Sequence, residues 1–254
     1  MGSVLYIHPF AEEMNKSRRM AALQARALAQ AGYAVLQIDL LGCGDSSGDF
    51  GDASWQDWVG DVVQGANWLK GRSDAPLWLW GLRAGGLLAT QAAEQLDVTC
   101  NFIFWAPAPS GKMLLQQFLR LKAAADMLDG NARGVTAALR EQLASGNTVE
   151  VAGYALSPAL AQGLEKASLA PPPCMTKVAP EARVEWFELS TRDDAMLSPV
   201  AEKISKLWSE ACFQVHTHMV NGPSFWQTSE IEEAPDLITA TVAALATLQQ
   251  PIAA

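Results

Sequence analysis

Short runs of β-branched and aromatic residues alternate along the chain with longer stretches whose apolar positions recur at helical spacing. The short runs are SVLYIHP (3–9), AVLQIDL (34–40), LWLWGL (77–82), CNFIFWAP (100–107), VEWFELS (184–190) and FQVHTHMV (213–220). Helical patterns lie between several of them. Ser17 to Gly32 is alanine-rich and ends at glycine, and Ala53 to Arg72 carries tryptophans at helical spacing. Strands alternating with helices predict an α/β fold with a mostly parallel, doubly wound sheet covered on both faces. The alternation breaks between Pro107 and Pro173, where GKMLLQQFLRLKAAADML, ARGVTAALREQLA and SPALAQGLEKASL read as nearly all helical before PPP closes the stretch. We read residues 108–173 as a helical cap inserted into one domain spanning 1–254.

In open α/β sheets ligands bind beyond the carboxyl ends of the strands, so the residues just after each run carry the chemistry. After LWLW comes Gly81-Leu82-Arg83-Ala84-Gly85 and a small-residue helix. That is the frame of the nucleophile elbow G-x-S-x-G, with arginine where the serine belongs. Two further features keep the order of an α/β-hydrolase fold. HPF after the first strand occupies the place of an oxyanion-hole loop, and DLLGCGDSSG after the second resembles the D-x-x-G-x-G-x-S turn of that superfamily.

The catalytic triad of such folds runs Ser, acid, His along the chain. An acid slot is present, Asp193 and Asp194 after WFELS, but the loop after the last strand reads NGPSFWQTSE and holds no histidine. The chain's three histidines are His8, His216 and His218. Nucleophile and base are therefore both missing from their usual places. Arg83 at the start of a helix offers a fork suited to a carboxylate or phosphate. It equally suits pairing with Glu12, Glu13, Asp193 or Asp194, since a buried charge needs a partner. In HPFAEEMNKSRRM, Asn15, Ser17 and the arginines read as a solvated loop capping the next helix. Within it, Glu12, Glu13 and His8 are candidates for activating water. His8 also reads as a structural histidine, and His216 and His218, on one face of a strand, read as packing rather than metal ligands. Cys43, Ser224, Arg120 and Lys122 are read as structural or solvated.

Composition narrows the partners. With 27 acidic against 18 basic residues and a net charge of −9, neither nucleic acid nor an anionic membrane is an expected partner. Half the residues are hydrophobic, which supports a sizeable core. The four cysteines form no CxxC pair, which suggests reduced thiols and a cytoplasmic protein. No apolar run approaches the roughly 20 residues of a membrane span. No cofactor or metal is called for.

The first motif, HPFAEEMNKSRRMAALQARALAQAGYAVLQIDLLGCGDSSGDF, together with LWLWGLRAGGLLA, QFLRLKAAADML, EVAGYALSP and GPSFWQTSEIEEAPDLI, resembles the second type of exosortase A system-associated hydrolase. That α/β-hydrolase family occurs with PEP-CTERM sorting and exopolysaccharide genes, and the elbow arginine resembles a family trait. Its members begin with a further strand pair ahead of the first strand read here. The resemblance and the residues together lead to a hydrolase of an ester, thioester or related acyl compound that forms no serine acyl-enzyme. Arg83 would hold an anionic group, with Glu13 and Asp194 beside the substrate. Backbone N–H groups near Phe10 and Ala84 would form the oxyanion hole, and Asp193, Glu12 or His8 would activate water. The rival reading is a non-catalytic pseudo-hydrolase that binds an anionic ligand or a partner protein.

Overall fold

The computed structural model describes residues 1–128, 134–172, 182–192 and 194–246. Six strands form one sheet: β1 (Ser3–Ile7), β2 (Ala34–Gln37), β3 (Leu77–Leu82), β4 (Cys100–Trp105), β7 (Arg183–Ser190) and β8 (Gln214–Asn221), in the order β2-β1-β3-β4-β7-β8. Every pairing is parallel, with Ser3 opposite both Ala34 and Leu77, Leu77 opposite Cys100, Phe102 opposite Val184, and Arg183 opposite Gln214. All six residues of β3 are buried, as a central parallel strand covered on both faces requires. Alternation divides the core in two. Leu77, Leu79, Phe102 and Phe104 face α2 (Trp55–Lys70) and α3 (Ala84–Ala93), whereas Trp78, Trp80, Ile103 and Trp105 face α1 (Glu12–Gln30) and α8 (Pro235–Ala246).

The helices carry their own end signals. α2 opens with a capping box in which Ser54 accepts from the Asp57 N–H and Asp57 accepts from the Ser54 N–H. α1 closes in a Schellman turn: Gly32 at φ 88° donates to Ala29 O and Tyr33 donates to Leu28 O. Its start differs from the sequence expectation. Asn15, Arg18 and Arg19 are exposed as expected, but on a helix rather than a loop: it begins at Glu12 and buries Glu13, Met14 and Ser17.

Between β4 and β7 the chain forms α4 (Gly111–Leu128), α5 (Val135–Ala144), a hairpin of β5 (Val149–Val151) and β6 (Tyr154–Leu156), and α6 (Pro158–Lys166). The hairpin corrects the reading of this stretch as nearly all helical. Its turn is Ala152-Gly153, both at positive φ, the geometry that matches strand twist. α4 lies against the loop after β1, where the Phe118 ring meets Phe10 edge-to-face at 5.1 Å. Helix α7 (Pro199–Glu210) completes the layer beside β8.

The elbow depends on two glycines. A Cβ on Gly85 would stand 2.1 Å from the Ile7 carbonyl oxygen, and one on Gly81 2.4 Å from the Gly85 carbonyl carbon. Only backbone faces backbone here, so nothing flexible can yield. Gly85→Ala is expected to cost about 2–3 kcal/mol. Gly60→Ala, at an exposed position of α2 with nothing within 4 Å of the new carbon, is expected to stabilise by about 0.5–1 kcal/mol. Urea unfolding of both variants checks the contrast.

Candidate functional site

Arg83 stands at the tip between β3 and α3 with φ 54° and ψ −113°, a conformation non-glycine residues hold only under constraint. Its side chain turns towards α1 and α4 and is largely buried. Nε donates to Glu13 Oε1 at 3.2 Å, Nη1 to Ala106 O at 3.4 Å and Nη2 to Gln117 Oε1 at 3.2 Å. The guanidinium also lies 5.5 Å from the centre of the Trp226 ring. Arg83 thus meets one of the carboxylates proposed for it, Glu13, and two of its five N–H groups remain without a protein acceptor among the described residues.

Glu13 lies in the first turn of α1, and its side chain is 10% exposed. Burial pushes its carboxyl up to about 7, with the Arg83 charge opposing the rise and neighbouring Glu12 adding to it. Glu12 is also raised by burial, against the pull of its own N–H and Lys16. In both residues Oε2 is buried with no hydrogen-bond partner, and so is the Trp226 indole N–H. These three side chains line one cavity of about 330 Å³ together with Phe10, Lys16, Leu114, Gln117, Phe118, Leu121 and Gln227. Aromatic and aliphatic groups form one wall, and two carboxylates, an ammonium and two amides supply the polar part.

The other expected residues are placed elsewhere. His8 is buried, with Nδ1 against Pro9 O at 2.8 Å and Nε2 accepting from the Leu40 N–H at 3.3 Å. An acceptor Nε2 leaves the proton on Nδ1, so the ring is neutral, and burial lowers its pKa further. It borders a different cavity, with Tyr6, Arg18 and Asp39. Asp194 forms an exposed ion pair with Arg192 at 3.2 Å and lines a third cavity with Glu188 and Ser190. Asp193 lies outside the described residues. Ala84 is buried at the first position of α3, where a helix N–H has no partner within the helix. Cys43 is buried and its thiol is pushed up to about 12 by burial, which removes nucleophilic character. His216 and His218 both contact Glu185, at 2.9 and 2.8 Å, and Arg183 pairs with the same carboxylate. Among the described residues no group of three or more His, Cys, Asp or Glu side chains is arranged to hold a metal ion.

Four contributors went unread in the sequence: Lys16, Gln117, Trp226 and Glu188. Glu188 accepts from the Trp186 indole at 2.9 Å and is raised by burial, with the Arg83 charge acting against that shift. Lys16 was legible as one helical turn beyond Glu12, but only once the helix was known to start there.

Glu13 gives the site a stability signature. Its folded pKa lies above the unfolded value, so the folded state binds the extra proton between about pH 4.5 and 7. Stability is therefore greatest on the acid side of that window and falls as pH rises through it, by on the order of 2–3 kcal/mol for this one group. Chemical denaturation at pH 5 and pH 8 is expected to show that loss in the native sequence and a flatter profile in Glu13→Gln.

The family model described as "Serine aminopeptidase, S33" matches residues 1–170. A "Thermostable monoacylglycerol lipase" of Bacillus sp. (strain H-257) is 33% identical over 100 residues, 39% of this chain and 38% of the lipase. "Protein ABHD12B" of Homo sapiens is 33% identical over 95 residues, 37% of this chain and 25% of that protein. The chain thus aligns with well under half the length of these relatives. Among solved structures, a highly thermostable carboxyl esterase from Bacillus coagulans in complex with glycerol has a TM-score of 0.60 at 13% identity, over 97% of this chain and 89% of the esterase. That likeness concerns the fold. With six parallel strands, an elbow after the third and helices on both faces, the chain belongs to the serine aminopeptidase S33 family of the α/β-hydrolase superfamily.

Proposed function

We propose that this protein is a hydrolase of an ester, thioester or related acyl compound that attacks with water directly and forms no serine acyl-enzyme. One observation carries the reading: a carboxyl with a pKa of about 7 sits against the elbow residue and lines a mostly apolar cavity. A general base works best with a pKa near the operating pH. Arg83 anchors Glu13 through Oε1 and leaves Oε2 without a hydrogen bond, so Oε2 takes the proton once the site opens to admit water. Water oxygen bonds to the acyl carbon while its proton passes to Glu13. The carbonyl becomes an oxyanion facing the Ala84 N–H and the unused N–H groups of Arg83. Collapse then expels the alcohol or thiol, which takes the proton back from Glu13. Glu12 shapes the same polar surface. The arrangement gives the anion-binding role of Arg83 a narrower meaning, since its charge is already met by Glu13 and is available to a developing negative charge rather than to a permanent one.

The resemblance to exosortase A system-associated hydrolases supports a setting in envelope or exopolysaccharide metabolism, and the composition supports the cytoplasm. No helix of the described residues is long and apolar enough to cross a membrane. A second reading, the non-catalytic pseudo-hydrolase, draws on the closed Oε2 atoms of Glu12 and Glu13, which no solvent touches in this conformation.

A panel of short-chain esters and thioesters decides between the two. Turnover is expected with kcat/KM rising through an apparent pKa near 7, and with a loss of about 10²-fold or more in Glu13→Gln. Serine-directed fluorophosphonate probes are expected to leave the protein unlabelled. Absence of turnover above buffer across the panel would establish the pseudo-hydrolase, and stoichiometric labelling of a serine would refute both readings.

A further inference from the structure

The sheet has two edges, and they are built differently. β2 is four residues long, and Asp39 and Asp61 stand beside it. Short length and like charge are devices that keep an edge strand from pairing with another chain. β8 has neither. It runs eight residues, QVHTHMVN, without Lys, Asp, Glu or Pro, and of these only Val220 is buried. Its register against β7 is unbroken from Gln214 to Asn221, so no bulge turns the edge away.

Backbone alternation fixes which groups of β8 remain unused. Gln214 donates to Ala182 O and Gly222 to Ser190 O, so even-numbered residues turn their N–H and C=O groups to β7. Those of Val215, Thr217 and Met219 point away from the sheet, and among the described residues no strand receives them. Side chains divide by the same alternation. His216 and His218 occupy one face, both hydrogen-bonded to Glu185. Val215, Thr217 and Met219 occupy the other, where Val215 packs with Trp208 and Ala201 of α7 in one core. About Thr217 the strand reads alike in both directions: apolar, imidazole, threonine, imidazole, apolar. A two-fold axis through Thr217 sets it against the partner's Thr217, and Val215 against the partner's Met219. In antiparallel pairing each such pair exchanges both backbone bonds, and Thr–Thr and apolar pairs are favourable across strands. The same axis puts both α7 helices on one face of the joined sheet. α7 lies against β8, leaves Val200 and Leu207 exposed, and carries Glu202 and Glu210 against Lys203 and Lys206. In a chain of net charge −9, this is a locally neutral surface on which two copies can meet.

We propose that β8 is the contact strand of a two-fold symmetric homodimer, in which two copies of this chain join their sheets antiparallel through Val215, Thr217 and Met219. The contact is isologous, so it closes at two copies. It uses up the unprotected edge and leaves a protected β2 at each end of the joined sheet.

Sedimentation velocity of the full chain between about 1 and 100 μM tests this. The native sequence is expected to sediment at twice the mass of one chain. Thr217→Pro removes an outward N–H that β7 does not use, a position where an edge strand tolerates proline. Thr217→Lys keeps every backbone group and sets like charges opposite one another. Each is expected to weaken the dimer about 10-fold or more, in protein that circular dichroism shows folded; should the proline variant not fold, Thr217→Lys decides. Gln37→Lys, on β2, is expected to change nothing. With Cys174 and Cys212 replaced by serine, Thr217→Cys is expected to cross-link to itself in oxidised glutathione, while the parent lacking that cysteine does not. Cα atoms of an exchanged pair stand about 5.5 Å apart, within reach of a disulfide. A monomer at every concentration, a dimer that the folded Thr217 variants leave intact, equal weakening by Gln37→Lys, or a dimer that Thr217→Cys fails to cross-link overturns the proposal.

Discussion

One guanidinium joins three strained places in the backbone. Residues after β1, β3 and β4, namely Ala11, Arg83 and Ala106, all have positive φ without being glycine, and each such residue costs of order 1–3 kcal/mol unless its surroundings hold it. Arg83 is one of the three and contacts both of the others' neighbourhoods. It bonds the Ala106 carbonyl directly and pairs with Glu13, whose helix has Ala11 as its N-cap. Through Gln117 it also reaches α4. Two buried opposite charges are a poor source of net stability, because desolvation offsets their attraction, but removing one partner leaves the other uncompensated at about 3–5 kcal/mol. The pair therefore serves to fix position. It sets α1, the elbow and the insertion in one arrangement around the cavity.

The sheet was legible because its strands are buried on both faces and read as continuous apolar runs. LWLWGL and CNFIFW have no polar residue facing either layer but Asn101, so strand and turn separate cleanly. The elbow was legible for a different reason: Gly81 and Gly85 face backbone at contact distance, which leaves a strong mark in sequence. Much of the site lacked such marks. The buried face of α1 runs Glu13, Met14, Ser17, Met20, Ala21, Gln24, Leu28. The spacing is helical, but three of the seven are polar, so a search for apolar periodicity passes over the first turn and takes it for a loop. The hairpin of β5 and β6 hid similarly, because its turn puts Ala152 where asparagine or aspartate would have announced it.

The cavity itself unites groups far apart in the chain. Glu13, Gln117 and Trp226 come from the first helix, the insertion and the loop after the last strand, and nothing in the spacing of one sequence joins them. Conversely, residues that looked chemical by type prove committed to structure. Both His8 nitrogens are held by backbone groups. His216 and His218 surround Glu185, which is 1% exposed and also receives Arg183, so their shared face answers a buried carboxylate. That carboxylate lay in VEWFELS as one of two glutamates inside an otherwise apolar run, which was the available signal.

Helix electrostatics explain why an acidic pair belongs at this elbow. α1 and α3 both begin beside the site, at Glu12 and Ala84, and helix N-termini carry roughly half a positive charge each. A serine at the tip would leave that field to a substrate oxyanion. An arginine adds a full positive charge on top of it, and without compensation the site would capture any passing anion. Glu12 and Glu13, in the first turn of α1, are favoured there by the same dipole and bring the charge back near neutrality. Burial then holds Glu13 close to half-protonated near neutral pH, so the balance stays adjustable by one proton. Under the proposed hydrolase reading, such a site would respond to charge that develops on a substrate carbonyl.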